Sequence, residues 1–509
     1  MIRVPTGSEG LNFNPSDPFY FVMMPIRYRQ QTNIYSESII TYSGSMSGQN
    51  LGRCDLSEEA GKTQFLRVLG RREVLALAFG AMIGWSWVVL SGDWISSAGT
   101  LGAIVAFLIG GSAILLIGLT YAELASALPF AGGEHVYSER ALGAGASFVC
   151  TWGIILGYVS VVTFEAVALP TVLDSLIPGL DKVHLWQIAG WDVYLSWVLV
   201  GVAGSVIMTA LNVVGVRMVA LVQSVVVLAI LLVGVLFVSG ALFTGDVSNM
   251  QPLFKDGVSG ITLVLVMVPF MFVGFDTIPQ AAEEIDLPFK DIGAVLMISV
   301  AMAIVWYGLI VLGVGLVLDE TAIDSSGVVT AVANSAIYGE VGGTVLLIAG
   351  LAGIITSWNA FILGGSRAIY ALAHSGLLPK FLAELHPKYH TPRNAILLIG
   401  ALSMIGPFFG RPALVWVVDA GGLGIIIAYG MVAWSFLVLR KKEPELERPY
   451  KVRYGKFVGV TALVLSIGVG LLYLPGSPAA LIWPQEWGIV LAWTVLGGIL
   501  YGFARNSAA

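Results

Sequence analysis

Two carboxylic acids stand inside long apolar runs, where an ionised side chain is costly to bury. Glu165 lies in VVTFEAVAL with no basic residue within a helical turn, and Asp276 follows Gly274 in MFVGFDTIP. A buried carboxyl group can carry a proton or bind a cation. We therefore consider both as proton-coupling candidates, and Glu165 also as a ligand for a cationic substrate. The alternatives are a neutral, hydrogen-bonded structural acid at Glu165 and helix capping or internal pairing at Asp276.

Oxygen-bearing side chains also recur at helical spacing later in the chain. Gly353, Thr356 and Ser357 are spaced i, i+3, i+4 and share one helical face. Such a face can offer hydroxyl and carbonyl oxygens to a cation, although hydroxyls in membrane helices more often bond their own backbone or a neighbour. For the remaining acids near span ends, the structural interpretation is favoured: Asp93, Glu123 and Asp419.

Two interrupted apolar segments are available to position these groups. The segments are 73–97 and 265–284, and the residues that interrupt them are Gly80, Gly84, Ser86, Pro269, Gly274 and Pro279. A loosened helix at membrane depth is tolerated only where it is buried in protein or lines a cavity. Two such segments in corresponding positions of two halves are the best sequence indication of a transporter's binding site.

The composition places these segments in a membrane. Of 509 residues, 57% are hydrophobic and 11% charged, against about 25% charged in a soluble protein. Cys54 and Cys150 form neither a disulfide framework nor a metal motif, and the five histidines fall in loops or at span ends. We therefore expect no metal centre and no organic cofactor, apart from a coupling ion.

Apolar windows of about 20 residues define the predicted spans. The twelve windows, numbered as spans 1 to 12, are 73–97, 101–125, 147–173, 192–212, 216–242, 259–284, 291–318, 341–374, 394–410, 413–439, 456–474 and 486–504. With the N-terminus inside, the outer loops contain only Lys182, Lys255 and Arg411 as basic residues, so the positive-inside rule places both termini in the cytoplasm. The acidic segment 319–340 is expected to be an outer loop with a short helix.

The sequence thus predicts an all-α polytopic membrane protein with twelve transmembrane helices. Spans 1–5 (about 73–242) and 6–10 (about 259–439) would form two inverted halves of a transporter core at 64–440, and 441–509 would add helices 11 and 12. Residues 1–63 are polar and rich in Ser, Asn and Gly, which predicts a disordered cytoplasmic tail. A sharper hypothesis is that translation starts at Met46.

Three sequence blocks together resemble the amino acid–polyamine–organocation (APC) permeases. The blocks are YAELASALPFAGGEHVYSERALG (121–143), PFMFVGFDTIPQAAEEIDLPFKDI (269–292) and NAFILGGSRAIYALAHSGLLPKFLAELHPKYHTPRNAI (359–396). They occur in the family's order and at the matching spans, and the resemblance covers 70 to about 440. It implies a five-plus-five inverted repeat with broken helices 1 and 6, a substrate site between these helices, and secondary active transport.

The resemblance also implies how an amino acid zwitterion would bind. The N–H end of an opened helix attracts a carboxylate and its carbonyl end attracts an ammonium. The positions that match the family's substrate site also include Ile83 and Gly274, which lie at the two breaks. By resemblance, the amides of Gly84, Trp85 and Ser86 would hold the carboxylate and the carbonyls of Met82, Phe270 and Phe272 the amine.

The first break departs from the family pattern in its aromatic residues. Trp85 and Ser86 stand where a small residue and a glycine are usual, followed by Trp87. The indoles could narrow the pocket, stack on a cationic substrate, or pack against lipid or neighbouring helices. Phe270 resembles the aromatic that closes over substrate in the family, although an aromatic in a span is usually packing.

The coupling ion is open at this stage. Many family members have a lysine in span 5, at a position that falls on Ile230, and span 5 here contains no lysine. The spacing of Gly353, Thr356 and Ser357 resembles the sodium site of this fold, completed by carbonyls of Gly80 and Ile83. Proton coupling through Glu165 or Asp276 is the rival, and exchange is a third mode.

Other classes of protein fit the sequence less well. A membrane enzyme should show a catalytic constellation near one interface, a channel a filter motif or charged ring, and an ATP-driven pump a Walker motif. None is found in the sequence. We expect an importer of an amino acid or related amine in the cytoplasmic membrane, with a small-molecule substrate and the bilayer as partners and no nucleic acid. The alternative is a polyamine or organic amine permease or exchanger that does not require a substrate carboxylate.

Overall fold

A computed structural model describes residues 65–508 except residue 178, and it leaves aside the side chains of 216–222 and 506–508. The predicted N-terminal tail, 1–63, lies outside the described residues. About 76% of the structure is helical, and a two-stranded antiparallel hairpin, His184–Ile188 with Trp191–Tyr194, connects spans 3 and 4. The all-α prediction is confirmed apart from this small hairpin.

Eleven helices in the described chain are long and apolar enough to cross a membrane. Their bounds are Arg71–Val89, Thr100–Ala127, Ala144–Leu176, Leu195–Val214, Gln223–Thr244, Gly257–Gln280, Phe289–Val317, Glu340–His374, Ala413–Lys442, Gly455–Leu472 and Gln485–Arg505. They correspond to eleven of the twelve predicted spans.

The ninth predicted window forms a shorter apolar element. An α-helix, Arg393–Ser403, is followed by a 3₁₀ helix, Gly406–Phe409. A helix rises ~1.5 Å per residue, so a segment of this length falls short of a hydrocarbon core ~30 Å thick. The predicted outer loop at 319–340 contains two short helices, Glu320–Asp324 and Val329–Tyr338, where one was expected.

Span 1 is interrupted where the sequence predicts. Its first helix, Arg71–Met82, ends at Ile83, and helix resumes at Ser86–Val89 and Ser91–Ala98. Gly84 lies in the gap between the helices. A Cβ atom there would be 2.5 Å from Ser357 Oγ and 2.7 Å from Glu165 Oε1, so only glycine lets these side chains approach the backbone.

Span 6 is interrupted at the corresponding place. Helix Gly257–Phe272 ends at Val273, and a turn of helix, Thr277–Gln280, follows the gap. Gly274 has φ +137°, a conformation that side-chain-bearing residues rarely adopt. A Cβ atom on Gly274 would lie 3.0 Å from the Met82 backbone nitrogen. The two breaks are therefore in contact with each other.

Most of the Lys and Arg residues at span ends lie on one face of the molecule, which we call the basic face. Buried ion pairs join the elements of this face. Arg367 of span 8 pairs with Glu284, and Arg440 and Arg448 both pair with Glu123 of span 2. The chain before span 1 also joins this face, because the amides of Val68 and Leu69 donate to Glu284 O at 2.9 and 3.0 Å. Glu123 thus has the structural role that the sequence favoured.

Candidate functional site

Tyr307 of span 7 connects the two breaks. Its hydroxyl lies 2.5 Å from Met82 O, 3.1 Å from Met271 O and 3.3 Å from Ser86 Oγ. The single phenolic proton can be donated to one of these carbonyls at a time. The carbonyl end of the first break is thereby satisfied inside the protein.

Glu165 lies at the N–H end of the same break. Its side chain is 2% exposed, the backbone N–H of Trp85 donates to it, and the hydroxyl of Ser357 donates to Oε1. The second oxygen, Oε2, has no hydrogen-bond partner among the described residues. A carboxylate of the protein itself thus occupies the position at which the resemblance expects a substrate carboxylate.

The amides expected to hold that carboxylate belong to the restart of span 1. Trp85 is the residue before helix Ser86–Val89, so the N–H groups of Gly84, Trp85 and Ser86 lie at or before its first turn. Amides at this position have no partner within their own helix. They are available to an anion, and Trp85 already uses its N–H on Glu165.

The aromatic residues of the second break line the same region. The Phe270 ring lies 5.8 Å from that of Phe164 and is 5% exposed. Phe272 lies 5.5 Å from the ring of Tyr307. Of the carbonyls assigned to the amine, only that of Met82 faces Tyr307, and the carbonyl that joins it there is Met271 rather than Phe270 or Phe272.

The residues proposed for a sodium ion also come together. Thr356 Oγ1 lies 3.2 Å from Gly80 O and 2.9 Å from Gly353 O, and Ser357 Oγ lies 3.2 Å from Gly353 O. A Cβ atom on Gly353 would be 3.4 Å from Ile83 O. Hydroxyls and carbonyls of spans 1 and 8 therefore converge next to Glu165.

Span 5 contributes a polar side chain to this convergence. The amide nitrogen of Gln223 donates to Thr356 O at 3.1 Å, and it would lie 3.0 Å from a Cβ atom on Gly80. Gln223 and Val227 are the residues of span 5 next to Gly80. Both precede Ile230, the position on which the lysine of other family members was expected to fall.

The tryptophans of the first break pack against neighbouring helices. Trp85 and Trp87 are both 0% exposed, so neither faces lipid. A Cβ atom on Gly350 of span 8 would lie 2.1 Å from the Trp85 ring, and the Trp87 ring lies 5.2 Å from that of Trp306. Of the alternatives open for Trp87, packing between helices is the one that these contacts support.

Asp276 lies on the far side of the second break. It is fully buried, its Oδ1 accepts the Gly274 N–H at 2.7 Å, and Tyr429 OH lies 3.5 Å from Oδ2. Tyr158 of span 3 also lies close to Asp276, and its hydroxyl has no hydrogen-bond partner among the described residues. The bond to Gly274 corresponds to the capping role, and Asp276 does not contact Glu165 in any bond described here.

Comparison with known proteins identifies the family. A family model described as "Amino acid permease" matches residues 69–501. The chain belongs to the amino acid permease family. This permease is thus a member of the APC superfamily, a multi-pass membrane protein whose relatives are transporters, and the sequence resemblance is confirmed.

Individual relatives differ in what their names say they carry. A branched-chain amino acid permease of Bacillus subtilis is 29% identical over 406 residues, which is 78% of the permease and 86% of the relative. A methylthioribose transporter of the same organism is 24% identical over 450 residues, 88% and 95% of the two chains. A vacuolar cationic amino acid transporter of Arabidopsis thaliana is 28% identical over 399 residues, 77% and 66%.

Sequence reasoning missed Tyr307, Gln223 and Met271. A tyrosine, a glutamine or a methionine within an apolar span carries no signal that separates it from ordinary packing. Only the contact of each with a residue of a distant span gives it a role, and spacing along one helix does not show such contacts.

Proposed function

We propose that the permease imports an amino acid or a related amine by ion-coupled alternating access. The observation that carries the proposal is that the two breaks touch, with an N–H end at Trp85 and carbonyl ends at Met82 and Met271. A zwitterion needs both kinds of group within a few ångströms of each other. The membership in a family of amino acid permeases supports the same substrate class.

In this proposal the substrate replaces internal partners. Its carboxylate takes the amides of Gly84, Trp85 and Ser86, which displaces Glu165 from the N–H of Trp85. Its ammonium takes the carbonyls at the end of the first helix and of span 6, which displaces the Tyr307 hydroxyl from Met82 O. The neutral hydrogen bond from Tyr307 to Met82 O is thereby replaced by a charge-assisted one, and such bonds are the stronger kind.

We also propose the finer topology. Spans 1–5 and 6–10 form the five-plus-five inverted repeat, with 393–409 as the ninth crossing and spans 11 and 12 outside the repeat. The contact between Gly274 and Met82, at corresponding breaks, supports this arrangement. The basic face is then cytoplasmic, both termini lie inside, and the protein resides in the cytoplasmic membrane.

For the coupling ion, sodium is the first candidate. Its ligands would be the hydroxyls of Thr356 and Ser357 and the carbonyls of Gly80, Ile83 and Gly353, with Glu165 supplying negative charge through Ser357. The Thr356 hydroxyl lies within bonding distance of two of these carbonyls, an arrangement that a cation would replace. Proton coupling through Glu165 or Asp276 is the second candidate.

A polyamine or organic amine remains the alternative substrate class. Because Glu165 already occupies the N–H end, an amine that lacks a carboxylate could bind with Glu165 as its counter-ion. The names of the relatives, which include a methylthioribose transporter and cationic amino acid transporters, also admit a substrate other than a neutral amino acid.

Uptake into proteoliposomes of purified protein tests this proposal. Radiolabelled amino acids and amines are supplied under separate Na⁺ and H⁺ gradients, and we expect amino acid uptake that requires Na⁺. The double variant Thr356→Ala with Ser357→Ala should lose that requirement together with uptake. Thr344→Ala is the control, because Thr344 is exposed on the same span and bonds only its own backbone, at Glu340 O. Uptake driven by H⁺ alone would discard sodium, and the absence of any uptake would discard the transport proposal.

A further inference from the structure

A further carboxyl group, that of Glu134, is fully buried and lies outside the membrane spans. Glu134 begins helix Glu134–Leu142, which connects spans 2 and 3, and it is 0% exposed. The Gln280 side-chain amide, on span 6 beyond its break, donates to Glu134 Oε2. The loop before Glu134 reinforces this contact, because Gly132 N donates to Gln280 O at 3.4 Å. Glu134 therefore joins the 2–3 connection to the part of span 6 nearest the basic face.

The groups that face Glu134 supply no positive charge. From span 6 they include the carboxyl of Asp276, and the others are phenols and a thiol from spans 2 and 3 and from its own helix: Tyr121, Cys150 and Tyr137. Span 10 adds Tyr429, which contacts Asp276.

The nearby cations of the described chain are bound elsewhere. Arg367 pairs with Glu284, and Arg440 pairs with Glu123. The ring of His135 bonds Ser147 and Ser375 instead of Glu134.

A buried carboxylate without a counter-charge is unstable in this surrounding. Burial, assisted by the nearby Asp276 carboxyl, raises the pKa of Glu134 well above its ordinary value of 4.5. Two ionised carboxyls in one buried cluster would each increase the cost of the other. The neutral, protonated form of Glu134 is therefore favoured as long as the cluster stays closed.

Unpartnered acceptor atoms of the described chain leave a place for a proton on Glu134, beside the unpartnered hydroxyls of Tyr121 and Tyr137. Glu134 Oε1 and Gln280 Oε1 have no hydrogen-bond donor among the described residues, and both residues are 0% exposed. A proton on Glu134 turns one of its carboxyl oxygens into a hydrogen-bond donor. The side-chain amide of Gln280 can rotate so that its Oε1 accepts this hydrogen bond. A metal ion would need several oxygen or nitrogen ligands, and the described residues contain no group of three or more His, Cys, Asp or Glu side chains suited to that.

We propose that Glu134 is a proton-binding site that controls closure of the basic face. Protonated Glu134 holds helix Glu134–Leu142 against span 6. When that contact opens, Glu134 reaches water and releases its proton to the same aqueous side, and closure takes one proton back. The consequence for transport rests on the alternating-access function proposed above, whereas the proton binding itself does not.

The pH dependence of stability tests the site without a substrate. An acid whose pKa is raised on folding contributes stability at pH below its ordinary value, and this is lost as the pH rises through the folded value. The thermal midpoint of the purified protein should therefore fall from pH 5.5 to 8.5. Glu134→Gln should remove a clear part of that fall, and Glu445→Gln, at an exposed carboxylate of the loop after span 10, should keep it. An unchanged fall in Glu134→Gln would overturn the proposal.

A second variant and a change of cation distinguish a proton site at Glu134 from a folding defect and from a Na⁺ site. Glu134→Asp retains a titratable group, so its fall should persist at a shifted pH even if Glu134→Gln folds poorly. A fall that is kept in Glu134→Asp and lost in a stably folded Glu134→Gln would confirm the assignment, and a stably folded Glu134→Asp without any fall would contradict it. The melting is also measured at constant pH in buffers that contain either choline or Na⁺. If the effect of Glu134 on the thermal midpoint depended on Na⁺ rather than on pH, the bound ion would be Na⁺ and the proposal would be wrong.

Transport gives the functional readout. With the basic face inside, lowering the internal pH of proteoliposomes to 5.5 should slow uptake several-fold in the wild type and in Glu445→Gln. Glu134→Gln should be slow at every internal pH. Equal pH sensitivity in Glu134→Gln would overturn the proposal. If the wild type carried no amino acid or amine, the proposed function would fail, and the melting experiment would still decide whether Glu134 binds a proton.

Discussion

The two faces of the molecule are closed by ion pairs that differ in burial. On the basic face, Arg367 and Glu284 are 2.8 Å apart and only 1% and 4% exposed. On the opposite face, Lys255 and Glu320 are 2.7 Å apart but 32% and 43% exposed. Breaking a buried pair leaves a charge without water, whereas an exposed pair exchanges its partner for solvent. The more deeply buried of the two ion pairs therefore lies on the basic face.

Backbone hydrogen bonds occur on both faces. The amides of Val68 and Leu69 bind Glu284 O, and the guanidinium of Arg367 lies 5.5 Å from the centre of the Phe65 ring. The opposite face has backbone bonds too, since the amides of Leu101 and Gly102 donate to Leu253 O and that of Lys255 donates to Ala98 O at 2.8 Å. The difference between the faces therefore lies in the burial of their ion pairs, and from it we infer that the opposite face opens at a lower cost than the basic face.

The largest expected effect comes from breaking the buried pair. Glu284→Gln leaves Arg367 buried without its counter-charge, so we expect a loss of about 3–5 kcal/mol in the free energy of unfolding, measured by denaturation in mixed micelles. The double variant Arg367→Met with Glu284→Leu should recover most of this loss. A single variant as stable as the wild type would show that the pair does not close this face.

An intermediate effect is expected from the buried hydrogen bond on the opposite face. Thr330→Val removes the donor to Val88 O, 2.8 Å away, and leaves a buried acceptor unpaired. The loss should be about 1–3 kcal/mol in the same assay. Thr344→Val, at an exposed position, should change stability little. Equal losses in the two variants would mean that the hydrogen bond to Val88 O makes no measurable contribution to the free energy of unfolding.

The smallest effect belongs to the exposed pair. Glu320→Gln should cost no more than about 1 kcal/mol, because both partners remain hydrated, and the cost should shrink as salt is added. Unfolding measured at low and high ionic strength checks this. A salt-independent loss as large as that of Glu284→Gln would remove the difference between the two faces.

The sequence predicted those parts of the site that local chemistry determines. Glycine and proline within apolar spans indicated both breaks, and helical spacing indicated the face of Thr356 and Ser357. The bond from Ser357 to Glu165 joins spans 8 and 3, and no single-helix pattern indicates it. The burial of Glu134 was equally hidden, since a polar loop residue is normally exposed and only the fold presses it onto Gln280.

The ninth window shows a different limit. Its composition is that of a span, but Gly406 and Pro407 end the α-helix early and a 3₁₀ turn completes it. Hydropathy averages over a window and does not register where the helix stops. The role of 393–409 as a crossing thus stays a prediction.

In the proposed function, the paired breaks of spans 1 and 6 form one substrate site. The direct measurement is equilibrium binding of a radiolabelled amino acid panel to purified wild type, Gly84→Ala and Gly468→Ala. A Cβ atom at Gly84 meets Ser357 and Glu165 within 3 Å, whereas one at Gly468 meets nothing within 4 Å. We predict that Gly468→Ala binds as the wild type does and that Gly84→Ala, still folded by its thermal midpoint, loses binding at least tenfold. Binding by folded Gly84→Ala as tight as that of the wild type would contradict a substrate site at the paired breaks.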